Sequence, residues 1–266
     1  MLTSVVSRAP SSLHLHGTDF ELVCVRRSGV AVYRGDARYL RIGAELEPEL
    51  DVQRLMLERG YPVPRILHVG RHDGAPYLVE ESLGAHTLGD RFEAEQRING
   101  RISDGGFAIF LAVAERYARA QAAAARPAAR PGDVPVAVVH PDLHAFNICP
   151  GGVIDVEGAD VGPVGYDVAT APFVPALCGL TSARTPWFTA TQISEYLAMV
   201  DGVFVDRGLS RPTERLEELL VRRAISLCVK QHPDLAVQAA RRRVLQAMVD
   251  TFLCGGGVRA LLQQGR

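Results

Sequence analysis

Short runs rich in Val, Leu and Tyr fill residues 20–43 and are broken at Ser28-Gly29 and at Gly35-Asp36. Apolar runs of that length between turn residues predict three successive antiparallel strands. The period then changes. Leu46, Leu50, Leu55 and Met56 fall at roughly helical spacing across 45–59. Gly60 and the Pro62, Val63, Pro64 sequence end that helix, because a residue before proline is steered out of the α region. Two more strands are expected at 66–69 and 77–80, before Leu83-Gly84 interrupts the pattern. From Gly106 a helix presents Phe107, Phe110, Leu111, Val113, Ala114 and Tyr117 as its apolar side and stops in the proline-rich 126–135 stretch, expected to be an exposed loop. The apolar runs 136–139 and 153–156 read as strands, with Gly151-Gly152 supplying turn chemistry between them. Beyond Thr191, helices are expected near 192–206, 212–231 and 234–253, punctuated by Gly208, Pro212 and Pro233. The order predicts an α+β chain of two lobes. A small antiparallel-sheet lobe with one helix would occupy 1–82, and a mainly helical lobe 83–266.

Composition narrows the class. The chain has 266 residues, 47% of them hydrophobic, yet no apolar run approaches the ~18 residues of a membrane span, so no membrane partner is expected. A net charge of −1, from 29 basic and 30 acidic residues, gives no nucleic-acid footprint. The five cysteines are scattered, odd in number and without a CxxC pair, and the amino terminus lacks the basic, apolar and small-residue order of an export signal. These features point to a cytoplasmic protein whose partner is a small molecule and which is a monomer or homodimer.

One segment carries chemistry. Moving a phosphoryl group from ATP to a hydroxyl needs a carboxylate beside the acceptor and two further ligands that hold Mg²⁺ against the phosphates. Residues 140–155, HPDLHAFNICPGGVID, supply all three. Asp142 follows His140 by two positions and precedes Asn147 by five, an H-x-D-x-x-x-x-N spacing, and Asp155 is expected on the strand after a tight turn. On such a loop and hairpin, Asp142 can meet a hydroxyl while Asn147 and Asp155 converge on metal.

The longer stretch HPDLHAFNI…GVIDVEGADVGPVGYDVA resembles the HGDLHPGNI…VIDFE…GP…YDLA pattern of the aminoglycoside phosphotransferases and related small-molecule kinases, a branch of the protein-kinase-like fold. The resemblance implies an ATP- (or GTP-) and Mg²⁺-dependent phosphotransferase acting on a small-molecule hydroxyl. In it Asp142 would be the catalytic base, Asn147 and Asp155 the Mg²⁺ ligands, Asp167 a buried acid bracing the catalytic loop, and His140 a structural member of that loop. The resemblance also sets Glu81, Ser82 and Leu83 beside the adenine. It puts Ser28 and Gly29 in the loop that covers the phosphates, where backbone N–H groups reach anionic oxygens.

The departures from the pattern are informative. RYLRIG puts Arg41 where such kinases carry a third-strand lysine paired with a helix glutamate. Arginine is always charged but not isosteric with lysine, so Arg41 is expected to bind phosphate, with Glu49 as its helix partner. Pro141 and Val156 replace a glycine and a phenylalanine, and neither change touches a ligand atom. His14 and His16 are expected to be exposed, Arg241, Arg242 and Arg243 to form a solvated helix face, and Trp187 either to line the acceptor pocket or to pack. A polycationic acceptor needs a pocket dense in carboxylates, yet 191–266 holds eight acidic against eleven basic residues. That balance favours a less charged acceptor, such as a nucleoside, peptide or macrolide antibiotic, or a sugar, with antibiotic inactivation as the use. Two rivals remain: a metabolic kinase of choline, homoserine or sugar type, and a nucleotide-binding pseudokinase scaffold.

Overall fold

A computed structural model describes residues 9–26, 28–127, 134–174 and 187–230. Its amino-terminal part is a six-stranded antiparallel sheet in the order β1-β2-β3-β4-β6-β5. The strands are β1 (Ser12–Leu15), β2 (Thr18–Val25), β3 (Ala31–Gly35), β4 (Arg38–Ile42), β5 (Ile66–His72) and β6 (Ala75–Glu81). Side chains alternate across a strand, and the two faces bury different clusters. Phe20, Tyr33, Leu40 and Val79 pack on one face, whereas Val30 and Leu78 meet Leu46 and Leu50 of helix α1 (Leu46–Glu58) on the other. Arg41 follows Leu40 and pairs across the sheet with Leu78, so the period of two aims it at α1.

Helix α1 joins two cores. Its amino-terminal Leu46 and Leu50 lie under the sheet, while Met56 packs with Tyr61 and Val63 into the large helical core. That core is built from α2 (Leu88–Asn99), α3 (Asp104–Ala124), α4 (Tyr166–Thr170), α5 (Ala190–Val205) and α6 (Leu216–Lys230). The apolar face read for α3 is the buried one, with Phe107, Phe110, Val113, Ala114 and Tyr117 all in the core. Four two- to four-residue strands accompany the catalytic segment: β7 (Val136–Val139) pairs with β10 (Asp160–Pro163), and β8 (Ile148–Cys149) with β9 (Gly152–Val153).

The α+β class stands: an antiparallel sheet with one helix precedes a mainly helical part. β1 falls where His14 and His16 suggest a strand or an arm, and SLHL alternates exposed and half-buried residues as an edge strand does. Other elements differ from the sequence reading. α2 was not expected, since only Leu88, Gly89 and Phe92 of its twelve residues are buried. Its start is nonetheless encoded: Thr87 and Asp90 form a reciprocal capping box, and Gly100 closes the helix in the left-handed region. The expected 153–156 strand ends at Val153, and Asp155 lies beyond it. The helix expected at 234–253 and the arginine run at 241–243 lie outside the described residues. His14 and His16 are both exposed as expected, and the His16 ring also stacks on His68 at 4.1 Å with its Nε2 2.7 Å from the Tyr77 hydroxyl.

The sheet and the helical part are tied backbone to backbone. The Val153 N–H donates to the Pro62 carbonyl at 2.7 Å and the Gly151 N–H to the Leu83 carbonyl at 2.8 Å. A Cβ at Gly152, whose φ is +159°, would fall inside the Pro62 carbonyl oxygen, so only glycine allows this approach. The Tyr61 hydroxyl adds a third tie, to the Val138 carbonyl at 2.9 Å.

Candidate active site

The catalytic loop is assembled around buried polar groups. Asp167, fully buried at the start of α4, accepts from the Tyr117 hydroxyl (2.6 Å), the His140 N–H (2.7 Å), the Gln121 amide (2.8 Å) and its neighbour Val168 (2.9 Å). Four donors satisfy a carboxylate that burial would otherwise make costly. His140 is fully buried as well. Its Nε2 lies 3.1 Å from the Ile154 carbonyl, an acceptor only, so that nitrogen carries the proton; Nδ1 accepts the Asp142 N–H at 3.1 Å. Burial lowers the His140 pKa and keeps the ring neutral, the state this bonding requires.

Asp142 sits half-exposed at the mouth of the loop. Burial alone would raise its pKa, but His144, 3.3 Å away, together with Arg223 and His140, outweighs this and brings it down to about 2. Asn147 donates its amide to the Asp142 carbonyl at 2.9 Å, and its own carbonyl receives the Ile154 N–H at 2.9 Å. The three acids and amides of the sequence motif are thereby linked through one turn: Asp142 to Asn147, Asn147 to Ile154, and Ile154 to Asp155. Asp155 has a φ of +60°, a left-handed conformation that costs an aspartate about 1 kcal/mol or more.

The sequence missed three residues of this assembly. Arg223, fully buried on α6, reaches 83 residues back to donate to the His140 carbonyl at 3.2 Å and the Leu143 carbonyl at 2.8 Å. Gln121 bridges Asp167 and the Gly165 N–H. Arg26, at the end of β2, brings its guanidinium to within 2.8 Å of Asp155 Oδ1 and donates to Glu157 at 3.1 Å. None of the three sits in a motif, and each acts on a partner more than forty residues away in sequence.

On the sheet side, Arg41 and Glu49 do pair, at 2.5 Å, despite the short connection between β4 and α1. The Arg41 guanidinium also meets Gln53 at 2.7 Å and Glu80 at 3.2 Å, and the residue is only 3% exposed. A cleft of about 260 Å³ lies between sheet and catalytic segment, with Arg26, Arg41, Glu80, Glu81, Leu83 and Asp155 among its lining residues. Ser82 is not on its wall, and the Ser82 N–H is taken by the Ala37 carbonyl. Ser28 lines a separate cavity of about 460 Å³ beside Glu45, Glu49 and Glu157. Gly29, with φ +82°, closes the tight turn whose N–H returns to the Arg26 carbonyl. The turn that was expected to cover phosphate thus presents Arg26, two residues earlier, to the cleft. Trp187 is buried against Phe92 and Phe146, a packing position.

The donor set fits a hydrated cation. Asp155 Oδ1 is shut off from solvent and, among the described residues, receives no hydrogen-bond donor, its contact with Arg26 being ionic but poorly directed. With the Asn147 amide N–H spent on Asp142, the amide oxygen is the end left for a ligand. Among the described residues no three His, Cys, Asp or Glu side chains converge as a cage. One carboxylate and one amide oxygen suit Mg²⁺, which keeps several waters and takes its remaining oxygens from phosphate.

Residues 91–212, which hold all of this loop, match the model of the family described as the phosphotransferase enzyme family. By this segment the chain is similar to that family. The match supports a phosphotransferase enzyme. Among solved structures it resembles an aminoglycoside-3'-phosphotransferase of type VIII, at 20% identity over 90% of this chain and 94% of that one, with a TM-score of 0.46. An aminoglycoside phosphotransferase, APH(3'')-Id from Streptomyces rimosus, aligns at 17% identity over 75% and 92% of the two chains, with a TM-score of 0.38. A choline/ethanolamine kinase family protein from Mesorhizobium loti aligns at 15% over 84% and 92%, with a TM-score of 0.34. A search of the curated proteins finds no match. Among the described residues no helix is long and apolar enough to cross a membrane.

Proposed function

We propose that this kinase uses ATP (or GTP) with Mg²⁺ to phosphorylate a hydroxyl of a small molecule, with inactivation of an antibiotic as its use. Residues 1–82 would form the nucleotide lobe and 83–266 the catalytic and acceptor lobe, in a cytoplasmic enzyme. The observation that carries the reading is the single turn joining Asp142, Asn147 and Asp155, held from behind by neutral His140 and by Asp167.

Asp142 orients the acceptor hydroxyl. A carboxylate with a pKa near 2 is a weak base, so it accepts the proton late, as the oxygen–phosphorus bond forms and the hydroxyl becomes acidic. Mg²⁺, held by Asn147 and Asp155, would neutralise charge on the β- and γ-oxygens. Arg41 and Glu49 act as the buried pair behind the phosphates, fixing β4 against α1. Glu81 and Leu83 border the nucleotide base, with Ser82 tethering that segment to Ala37.

The acceptor is expected to be less charged than an aminoglycoside. The described part of the 191–266 stretch, to residue 230, holds six acidic and six basic residues, no acidic excess for a polycation. Screening antibiotics and metabolites for acceptor-dependent ADP production tests the proposal. One class of acceptor should turn over, and Asp142→Ala should lower its rate by about 10²–10⁴-fold while sparing nucleotide binding. Turnover of choline, homoserine or a sugar alone would favour the metabolic reading, and an Asp142→Ala variant with near-native activity would remove the assignment.

A further inference from the structure

The two guanidiniums lining the cleft, Arg26 and Arg41, answer four carboxylates: Glu80 and Asp155 on the cleft wall, and Glu49 and Glu157, which line the separate cavity beside Ser28. The two arginines are not equivalent. Arg41 is 3% exposed and bound on both terminal nitrogens by Glu49, Gln53 and Glu80, and its unpaired Nε is buried away from the cleft's solvent. Arg26 is 22% exposed, and among the described residues its guanidinium makes one hydrogen bond, to Glu157 at 3.1 Å. Its remaining contacts, 2.8 Å to Asp155 and 3.8 Å to Glu49, are ionic.

The backbone fixes where that side chain starts. A bulge between Leu22 and Cys24 shifts the register at the end of β2, and the Arg26 N–H and carbonyl then close a turn with Val30 and Gly29. Arg26 therefore springs from the turn roofing the cleft and ends on the carboxylate at its floor. Asp155 Oδ1, buried and without a hydrogen-bond donor, has this one cation as its counter-charge among the described residues. A guanidinium and a hydrated divalent ion are alternative occupants of that position, since both answer the same carboxylate.

We propose that Arg26 is a partner-exchanging cation: in the empty enzyme it holds Asp155 in place of a metal ion, and on loading it leaves Asp155 for a phosphate oxygen of the nucleotide. The inference rests on Asp155 being a metal ligand. No covalent step is involved. The guanidinium trades one anion for another, which its planar fork suits, and the freed carboxylate takes the divalent ion. Metal and polyphosphate then bind cooperatively through one side chain, because either alone leaves an uncompensated charge in the cleft.

Three titrations test this on the full-length enzyme and its Arg26→Gln, Asp155→Asn and Arg71→Gln variants, all checked for a cooperative thermal melt. Mn²⁺ alone is followed by electron paramagnetic resonance, ATP alone by calorimetry in EDTA, and Mn²⁺ again in saturating ATP. Arg26→Gln should bind Mn²⁺ alone at least about fivefold tighter and ATP alone at least about fivefold weaker, with the coupling between them reduced. Arg71→Gln, which removes the same charge from an exposed pair with Glu47, should leave both affinities within about twofold. Unchanged Mn²⁺ affinity in Arg26→Gln, beside loss of Mn²⁺ binding in Asp155→Asn, overturns the exchange alone. Tighter Mn²⁺ with unchanged ATP binding overturns it too, because the arginine then has no phosphate role. Native Mn²⁺ binding in Asp155→Asn overturns the underlying metal-site reading, and the exchange with it.

Discussion

The two walls of the cleft are held by different physics. Behind the catalytic loop, Asp167 is surrounded by neutral donors and His140 is an uncharged strut between two backbone groups. On the sheet wall, Arg26 and Arg41 are balanced against four carboxylates. Neutral hydrogen bonds to fixed backbone atoms specify one geometry, whereas ion pairs tolerate exchange of partner when another charge arrives. The wall that must position a reacting hydroxyl is the rigid one, and the wall that must admit a polyanion is the exchangeable one.

That contrast can be broken by measurement. Arg41→Met leaves Glu49, 6% exposed, with only the Arg26 guanidinium at 3.8 Å among the described residues, and should cost about 3 kcal/mol in urea unfolding. Adding Glu49→Leu should recover at least half of it, since removing both charges of a buried pair is far less costly than removing one. Were the double variant as unstable as the single, the sheet wall would be held by geometry rather than charge.

On the other wall no second substitution should rescue. Asp167→Asn turns an amide N–H toward donors that expect an acceptor, and should destabilise by about 2–3 kcal/mol and lower kcat along with stability. Arg223→Met keeps the bulk but frees the His140 and Leu143 carbonyls. It is expected to cost about 1–2 kcal/mol and to slow turnover without weakening nucleotide binding. A variant that loses stability at wild-type kcat would show that α6 supports the fold but not the loop.

A pH scan separates the walls again. The His140 pKa is below its ordinary 6.5 in the folded protein because of burial, so the unfolded chain binds its proton first as pH falls. The stability this neutral ring contributes is complete above about pH 6.5 and declines below it, by up to about 1.4 kcal/mol per pH unit. His140→Gln, assayed by the same unfolding curves, should remove that slope. Asp142, with a pKa near 2, should add nothing to the acid limb of the rate profile at ordinary pH. The smallest effect belongs to the surface: Arg215→Ala, which breaks an exposed pair with Glu218, should change stability by less than about 0.5 kcal/mol.

What could be read in the sequence follows from sequence distance. His140, Asp142 and Asn147 fall within eight positions, so their spacing alone set out the loop, and Asp167 came with the same contiguous pattern. The sheet strands β2 to β6 and the helix α3 were legible because burial on one face imprints a period. α2 was not, since a helix with three buried residues leaves almost no stripe, although its Thr87-x-x-Asp90 cap was a usable signal. Arg41 with Glu49 was found because RYLRIG stands where such kinases carry a strand lysine paired with a helix glutamate. Arg26 was overlooked for Ser28 and Gly29, because a turn motif suggests backbone N–H groups and says nothing of a side chain whose carboxylate partner Glu157 lies 131 residues on. Arg223 was equally hidden, one arginine among 28 until the fold brings α6 beneath the loop.

The left-handed backbone of Asp155 governs which replacements there can be interpreted. Asparagine and glycine can hold that conformation, so Asp155→Asn removes charge while leaving the chain path intact. Glutamate would keep the carboxylate yet pull the residue toward right-handed space and carry its oxygens one methylene too far. At this position the more conservative exchange in chemistry is the less conservative one in shape, and a glutamate variant without activity would report on conformation before it reported on metal.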